Sequence, residues 1–481
     1  MRRLRTVLFI VLLLLPIALT NGQPSYAQSP LTLPEESLFT DPIYARHGFE
    51  GLAQAYLNRT RYQLAIDIDP VAGMLRGSAR ITFVNRAFVA VDRVIFRLYP
   101  NHPTHGSRNM QVADITVNGV ATAGEFLDPD RTVMQVSLNG ALPPNAAAVI
   151  TMNYTITTPS GSFYYISEPY PIVAIFDASG WRMDVVTKGL DYAFTESALH
   201  VIRLRAPSNI ATWFVGMAKS VEQQPDGKTV YTIVTGPVRN FIIVQGRGWQ
   251  SQEFSGASVP IRVLYSDNHA AAEQIGQITV AAFNFYEQNF GPYPYAEFDV
   301  VSMRFSSGGE EYPGIVFINN ERDAVYRRFI TAHEVGHQWF YGIAGNDTLN
   351  NAWLDESMTQ VAGYLFYKRT QYGSPNAADQ YWASILTWYN RLQTVRPLDT
   401  PMSQYRDFND FMSNIYGGGA VFLRELGELI GDDALIAGMR SYVGAIYLGI
   451  GTPQQFYQAI QAQTTIDLAP LFCQRVGIMC R

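Results

Sequence analysis

Phe329-Ile-Thr-Ala-His-Glu-Val-Gly-His-Gln-Trp-Phe340 is the stretch on which the reading of this chain turns. It holds His-Glu-x-x-His at 333–337 and no proline, so it reads as a continuous helix. In that helix Val325, Phe329, His333 and His337 recur every four residues and fall on one inward stripe. Two imidazoles spaced in this way reach one tetrahedral Zn²⁺ at about 2.0–2.1 Å. Glu334 then stands beside the metal rather than on it, where its carboxylate can take a proton from water activated by the ion.

Two histidines do not complete a site, and the third ligand is expected at Glu356 in Asn351-Ala-Trp-Leu-Asp-Glu-Ser357. A helical pattern follows over 358–368. Packed antiparallel to the first helix, it brings Glu356 to the metal and gives one zinc per chain, held by His333, His337 and Glu356. The fourth position is open, which is the catalytic rather than the structural arrangement. His102 and His105 form another pair, but in a Pro/Gly-rich loop with no helix to align them.

Outward from this core, the pattern over 255–481 is α+β. Strand-like runs at Ile261–Tyr265, Phe298–Met303 and 315–318 surround a helical pattern, His269–Phe290, stopped by Gly291-Pro292. Helical patterns dominate thereafter. The region 44–250 consists of short runs that alternate every two residues, such as Tyr62, Leu64, Ile66 and Ile68, or Ile150, Met152, Tyr154 and Ile156. Turn signals such as Asp128-Pro129-Asp130 separate them, which predicts an antiparallel β-sandwich. The fold class is therefore multidomain, β followed by α+β.

Residues 28–43 read as a Pro/Ser-rich linker, and 1–27 as a signal peptide. Arg2, Arg3 and Arg5 precede an apolar run over 7–19, and small residues precede a cleavage point after Ala27. About 13 apolar residues fall short of the ~20 that span a bilayer, so no stable membrane span is expected after cleavage. The formal charge is −6, and loss of the three arginines takes it to about −9. That sign argues against nucleic acid and anionic membranes as partners. In an exported chain Cys473 and Cys480 read as a disulfide closing a small loop.

These motifs in this order resemble the aminopeptidase N family of gluzincin metallopeptidases. His337-Gln338-Trp339-Phe340 continues the zinc motif as is usual there, and Trp353-Leu354-Asp355-Glu356 resembles the third-ligand motif at the family's spacing. Gly308-Gly309-Glu310-Glu311-Tyr312-Pro313-Gly314 resembles the Gly-x-Met-Glu-Asn exopeptidase motif. Tyr416, in Tyr-Gly-Gly-Gly-Ala420, resembles the catalytic tyrosine element. The resemblance implies a β-sandwich before a thermolysin-like catalytic domain, without the usual C-terminal helical domain. It implies a zinc aminopeptidase acting on peptides with a free N-terminus. Glu311, with Gly308 and Gly309, would bind the substrate's α-ammonium, and Tyr416 would donate to the oxyanion.

Three departures stand out. Glu310 replaces the usual methionine, which would either favour basic substrates or weaken amine binding. Gly418 replaces a lysine, and Gly363 stands where the family has an acid behind the ligands. The rival readings are a metalloendopeptidase or epoxide hydrolase on the same fold, or a non-catalytic peptide-binding relative.

Overall fold

The computed structural model describes residues 31–103, 109–158, 163–184, 194–304 and 307–480. The expected signal peptide and His105 lie outside the described residues. Among those described, eight strands form one large sheet, in the order Met217–Gln223, Lys228–Val238, Ala198–Pro207, Arg61–Asp69, Met74–Val84, Ala147–Thr157, Met110–Val117 and Val120–Ala121. A four-stranded sheet built around Val91–Arg97 and Val133–Leu142 lies against it. The two are stitched where the Val173 N–H of the smaller sheet donates to the Tyr62 hydroxyl of the larger, at 3.1 Å.

The two-residue period is obeyed most closely by Ala147–Thr157, whose residues alternate between buried and half-exposed along its length. Arg61–Asp69 departs from it. This strand is buried on both faces, and it runs parallel to Ala198–Pro207, so the sheet is mixed rather than purely antiparallel. Its polar positions survive burial because each finds a partner. Gln63 Nε2 donates to Pro34 O at 2.8 Å, while Asp67 accepts from Arg205 at 2.9 Å and Lys228 at 2.8 Å. The segment that supplies Pro34 continues into the 3-10 turns Glu36–Thr40 and Pro42–Tyr44, which bury Phe39 and Tyr44.

His200, on Ala198–Pro207, is fully enclosed, stacked on Tyr62 and bonded through Nε2 to the Tyr170 hydroxyl at 2.7 Å. Burial disfavours the imidazolium and pushes its pKa down to about 3. Between that value and the ordinary 6.5 the unfolded chain binds a proton that the folded chain refuses. Stability should therefore fall as pH drops below about 6.5, by about 1.4 kcal/mol per unit from this residue. His200→Gln should flatten that slope in urea titrations between pH 4 and 6.5, and an unchanged slope would assign the loss to other groups.

In the helical half a five-stranded sheet orders its strands Gln250–Phe254, Ile261–Tyr265, Phe298–Met303, Ile315–Asn319 and Gly309–Tyr312. Gln250–Phe254 thus belongs with the helical half, although the expected boundaries placed 255 as its start. Helix His269–Phe290 ends at Gly291, whose φ of 117° only glycine adopts readily. Gly309–Tyr312 is the edge strand, bonded on one side to Ile315–Asn319. Cys473, in helix Ala469–Arg475, is disulfide-bonded to Cys480 just beyond it. No helix among the described residues is long and apolar enough to cross a membrane.

Arg239 joins the two halves. Its buried guanidinium donates to Thr195 O at 3.0 Å on the sandwich side, to Tyr341 O at 2.8 Å just past the metal helix, and to Gly449 O. The Tyr341 hydroxyl donates in turn to Asn240 Oδ1 at 2.7 Å.

Candidate active site

Helix Ala324–Gly336 starts at Asp323, whose carboxylate caps Val325 N and Tyr326 N. Its inward stripe is shorter than the four-residue spacing implies. Phe329 (7% exposed), His333 (5%) and His337 (0%) are buried, whereas Val325 (39%) sits on the first turn beyond the packing partners. Helix Glu356–Thr370 packs alongside, beginning at the predicted ligand itself.

His333 Nε2, His337 Nε2 and Glu356 Oε2 converge into a triangle with edges of 3.1, 3.1 and 3.4 Å. A tetrahedron with bonds of about 2.0–2.1 Å has edges of about 3.3–3.4 Å, so the triangle is the size of one face of a zinc shell. The tautomers agree, since His337 Nδ1 lies 3.1 Å from the Phe340 carbonyl and so turns Nε2 inward. Gathering these groups in a buried place is costly without a cation. Burial alone would lower the His337 pKa, but the carboxylates of Glu311, Glu356 and Glu334 outweigh it and hold that pKa well above normal. Burial likewise pushes Glu356 up, yet the two imidazoles overcome this and keep it strongly acidic. The residues fit a metal ion.

Glu334 is buried beside this triangle, with Oε2 lacking a hydrogen-bond partner. Burial pushes its pKa up to about 8, His337 opposes the rise, and the negative charges of Glu356 and Glu310 add to it. Its carboxylate, that of Glu311 and a nitrogen of His337 lie within 4.8 Å of one another. Gly308 and Gly309 lead into the edge strand. A β-carbon on Gly309 would come within 2.5 Å of Glu334 Oε1, so only glycine leaves that carboxylate its place. Gly309→Ala should therefore displace Glu334 and cost about 10²-fold in turnover with zinc content unchanged, measured by kinetics and metal analysis. Parent-like turnover would show that Glu334 has room to move.

Side chains alternate along this strand. Gly309 and Glu311 face the metal helix, while the Glu310 carboxylate accepts from the Tyr312 hydroxyl at 2.5 Å and from Tyr165 of strand Phe163–Ser167 at 3.3 Å. The carboxylates of Glu310 and Glu311 are thus separated by the strand rather than crowded together.

Tyr416 lies on a π-helical turn, Ser413–Gly419, between helices Phe408–Met412 and Ala420–Ile430. Such turns redirect side chains at functional sites. The turn is anchored by Ser357, whose hydroxyl donates to Ile415 O at 2.7 Å, and the Tyr416 hydroxyl donates to Glu356 Oε1. At Gly363, the missing acid's space is occupied by Tyr381, whose hydroxyl lies 2.4 Å from where a β-carbon would stand and donates to Gln360 Oε1 at 3.0 Å.

Sequence reasoning missed the work of Gln338. Its amide donates to Tyr312 O at 3.0 Å and accepts from Gly314 N at 2.8 Å, tying the metal helix to the end of the edge strand. The one available signal was its place directly after His337. Tyr165 carried none, because its partner is 145 positions away.

A buried His₂Glu triangle between two helices, a carboxylate beside it and a glutamate on an edge strand make up the constellation that the gluzincin resemblance implies. Residues 276–474 match the peptidase family M1 domain. Over this region and beyond it the chain is similar to zinc aminopeptidases of that family. It is 25% identical over 262 residues to aminopeptidase 2, mitochondrial, of Saccharomyces cerevisiae, covering 50% of this chain and 27% of that one. It is 26% identical over 210 residues to aminopeptidase N of Streptomyces lividans, covering 40% and 24%. The chain thus spans about a quarter of the length of these curated relatives. The fold is shared with the M1 zinc metallopeptidase of Deinococcus radiodurans. A mutant of it aligns with a TM-score of 0.64 at 16% identity over 89% of this chain and 96% of that one, and a mutant bound to a Tyr-Ser-Ala substrate aligns at 0.63 over 88% and 95%.

Proposed function

We propose that this chain is a zinc aminopeptidase that removes single residues from the free N-termini of peptides. The observation that carries the reading is the half-exposed Glu311 carboxylate, which stands within 4.8 Å of Glu334 and His337. Two neighbouring carboxylates repel, and a substrate α-ammonium placed between them and the metal relieves that repulsion. Fixing the ammonium there positions the first peptide bond, and only the first, over the catalytic groups.

His333, His337 and Glu356 would hold the zinc, which supplies Lewis-acid polarisation of the scissile carbonyl and acidifies water. Glu334 takes the proton of the attacking water and passes it to the departing amine. Tyr416 turns its hydroxyl from Glu356 toward the developing oxyanion. No covalent intermediate is needed.

An exported location belongs to the same proposal. It is supported by the basic and apolar pattern of 1–27 and by the Cys473–Cys480 disulfide, which suits an oxidising compartment.

The test is hydrolysis of fluorogenic aminoacyl amides and their N-acetylated twins, with and without a zinc chelator. Cleavage confined to free amines and lost with the chelator is expected. Equal cleavage of the acetylated twins would replace the aminopeptidase reading with an endopeptidase.

A further inference from the structure

We propose that Glu310 selects peptides whose first residue is basic, arginine above lysine. The inference rests on the aminopeptidase reading and names its substrate class. An extended peptide docks on the outer side of edge strand Gly309–Tyr312, whose other side is bonded to Ile315–Asn319. Its α-ammonium and first carbonyl must point to the face that carries Glu311 and Glu334. The substituents of the tetrahedral first α-carbon diverge, so with the ammonium and carbonyl held on that face the first side chain points to the other one. That face is where Glu310 stands.

The surroundings of Glu310 suit a guanidinium. The phenols of Tyr165 and Tyr312 donate to its two oxygens, which favours the charged carboxylate. The Tyr165 ring packs on Phe317 with centroids 4.9 Å apart, so the carboxylate is bordered by aromatic surface. Arginine pairs with carboxylates through a planar fork and stacks on aromatic rings, whereas lysine offers a point charge.

The experiment compares kcat/KM for arginyl, lysyl and leucyl amides in the zinc-loaded protein and in Glu310→Gln. The parent should prefer arginine, and the arginine-over-leucine ratio should fall by about 10–100-fold in Glu310→Gln, the worth of one hydrogen-bonded charge pair. An unchanged ratio would overturn the proposal. Calorimetric binding of Arg-Ala-Ala and Leu-Ala-Ala to Glu334→Ala supplies a reading without turnover. Tighter arginine binding that disappears when Glu310→Gln is added supports the selection, and equal affinities refute it. Absence of cleavage of any amide would count against the aminopeptidase reading alone, leaving these affinities to decide on Glu310.

Discussion

Glu334→Gln is expected to lower kcat by about 10²–10⁴-fold while the protein still carries one zinc per chain. The amide is nearly isosteric with the carboxylate, so the packing beneath Gly309 is kept and only the ability to accept a proton is lost. Because Glu334 lies outside the His333, His337 and Glu356 triangle, metal content by mass spectrometry should match the parent. A variant within tenfold of the parent would remove Glu334 from proton transfer. Loss of zinc together with activity would make it a ligand instead.

Tyr416→Phe is expected to lower kcat by about 10²–10³-fold, the cost of deleting one oxyanion donor. The hydroxyl also touches Glu356, so a competing role exists in which Tyr416 merely orients a ligand. The two roles separate in one pair of measurements. A lost oxyanion donor lowers kcat at full zinc occupancy, whereas a lost orienting contact weakens zinc affinity by about 10–100-fold and restores turnover when excess zinc is supplied.

The parts legible in the sequence were those whose information is local. His269–Phe290 carries its own periodicity and stop signal, and His333 and His337 carry a spacing that one helix converts directly into geometry. Glu356 was readable because a second local pattern begins immediately after it. Arg61–Asp69 shows where this fails. Its alternation was visible, but its parallel neighbour begins more than a hundred residues later, and nothing local states that both faces are covered. Tyr416 is one of 28 tyrosines, and only the resemblance distinguished it, because a π-helical turn has no simple periodic signature. The separation of Glu310 from Glu311 follows from strand alternation once that segment is known to be an edge strand. Adjacency in the sequence had suggested crowding.

The Arg239 linkage has a thermodynamic consequence for how the molecule comes apart. One guanidinium answers to carbonyls of the sandwich, of the turn that follows His337 and of the loop at Gly449, so none of the three can loosen without stranding the others' buried partners. Free zinc, by favouring the native state through mass action, therefore protects not only the helices that would hold it but also β-strands that never touch it. The two halves should melt as a single unit whose midpoint follows the concentration of the ion.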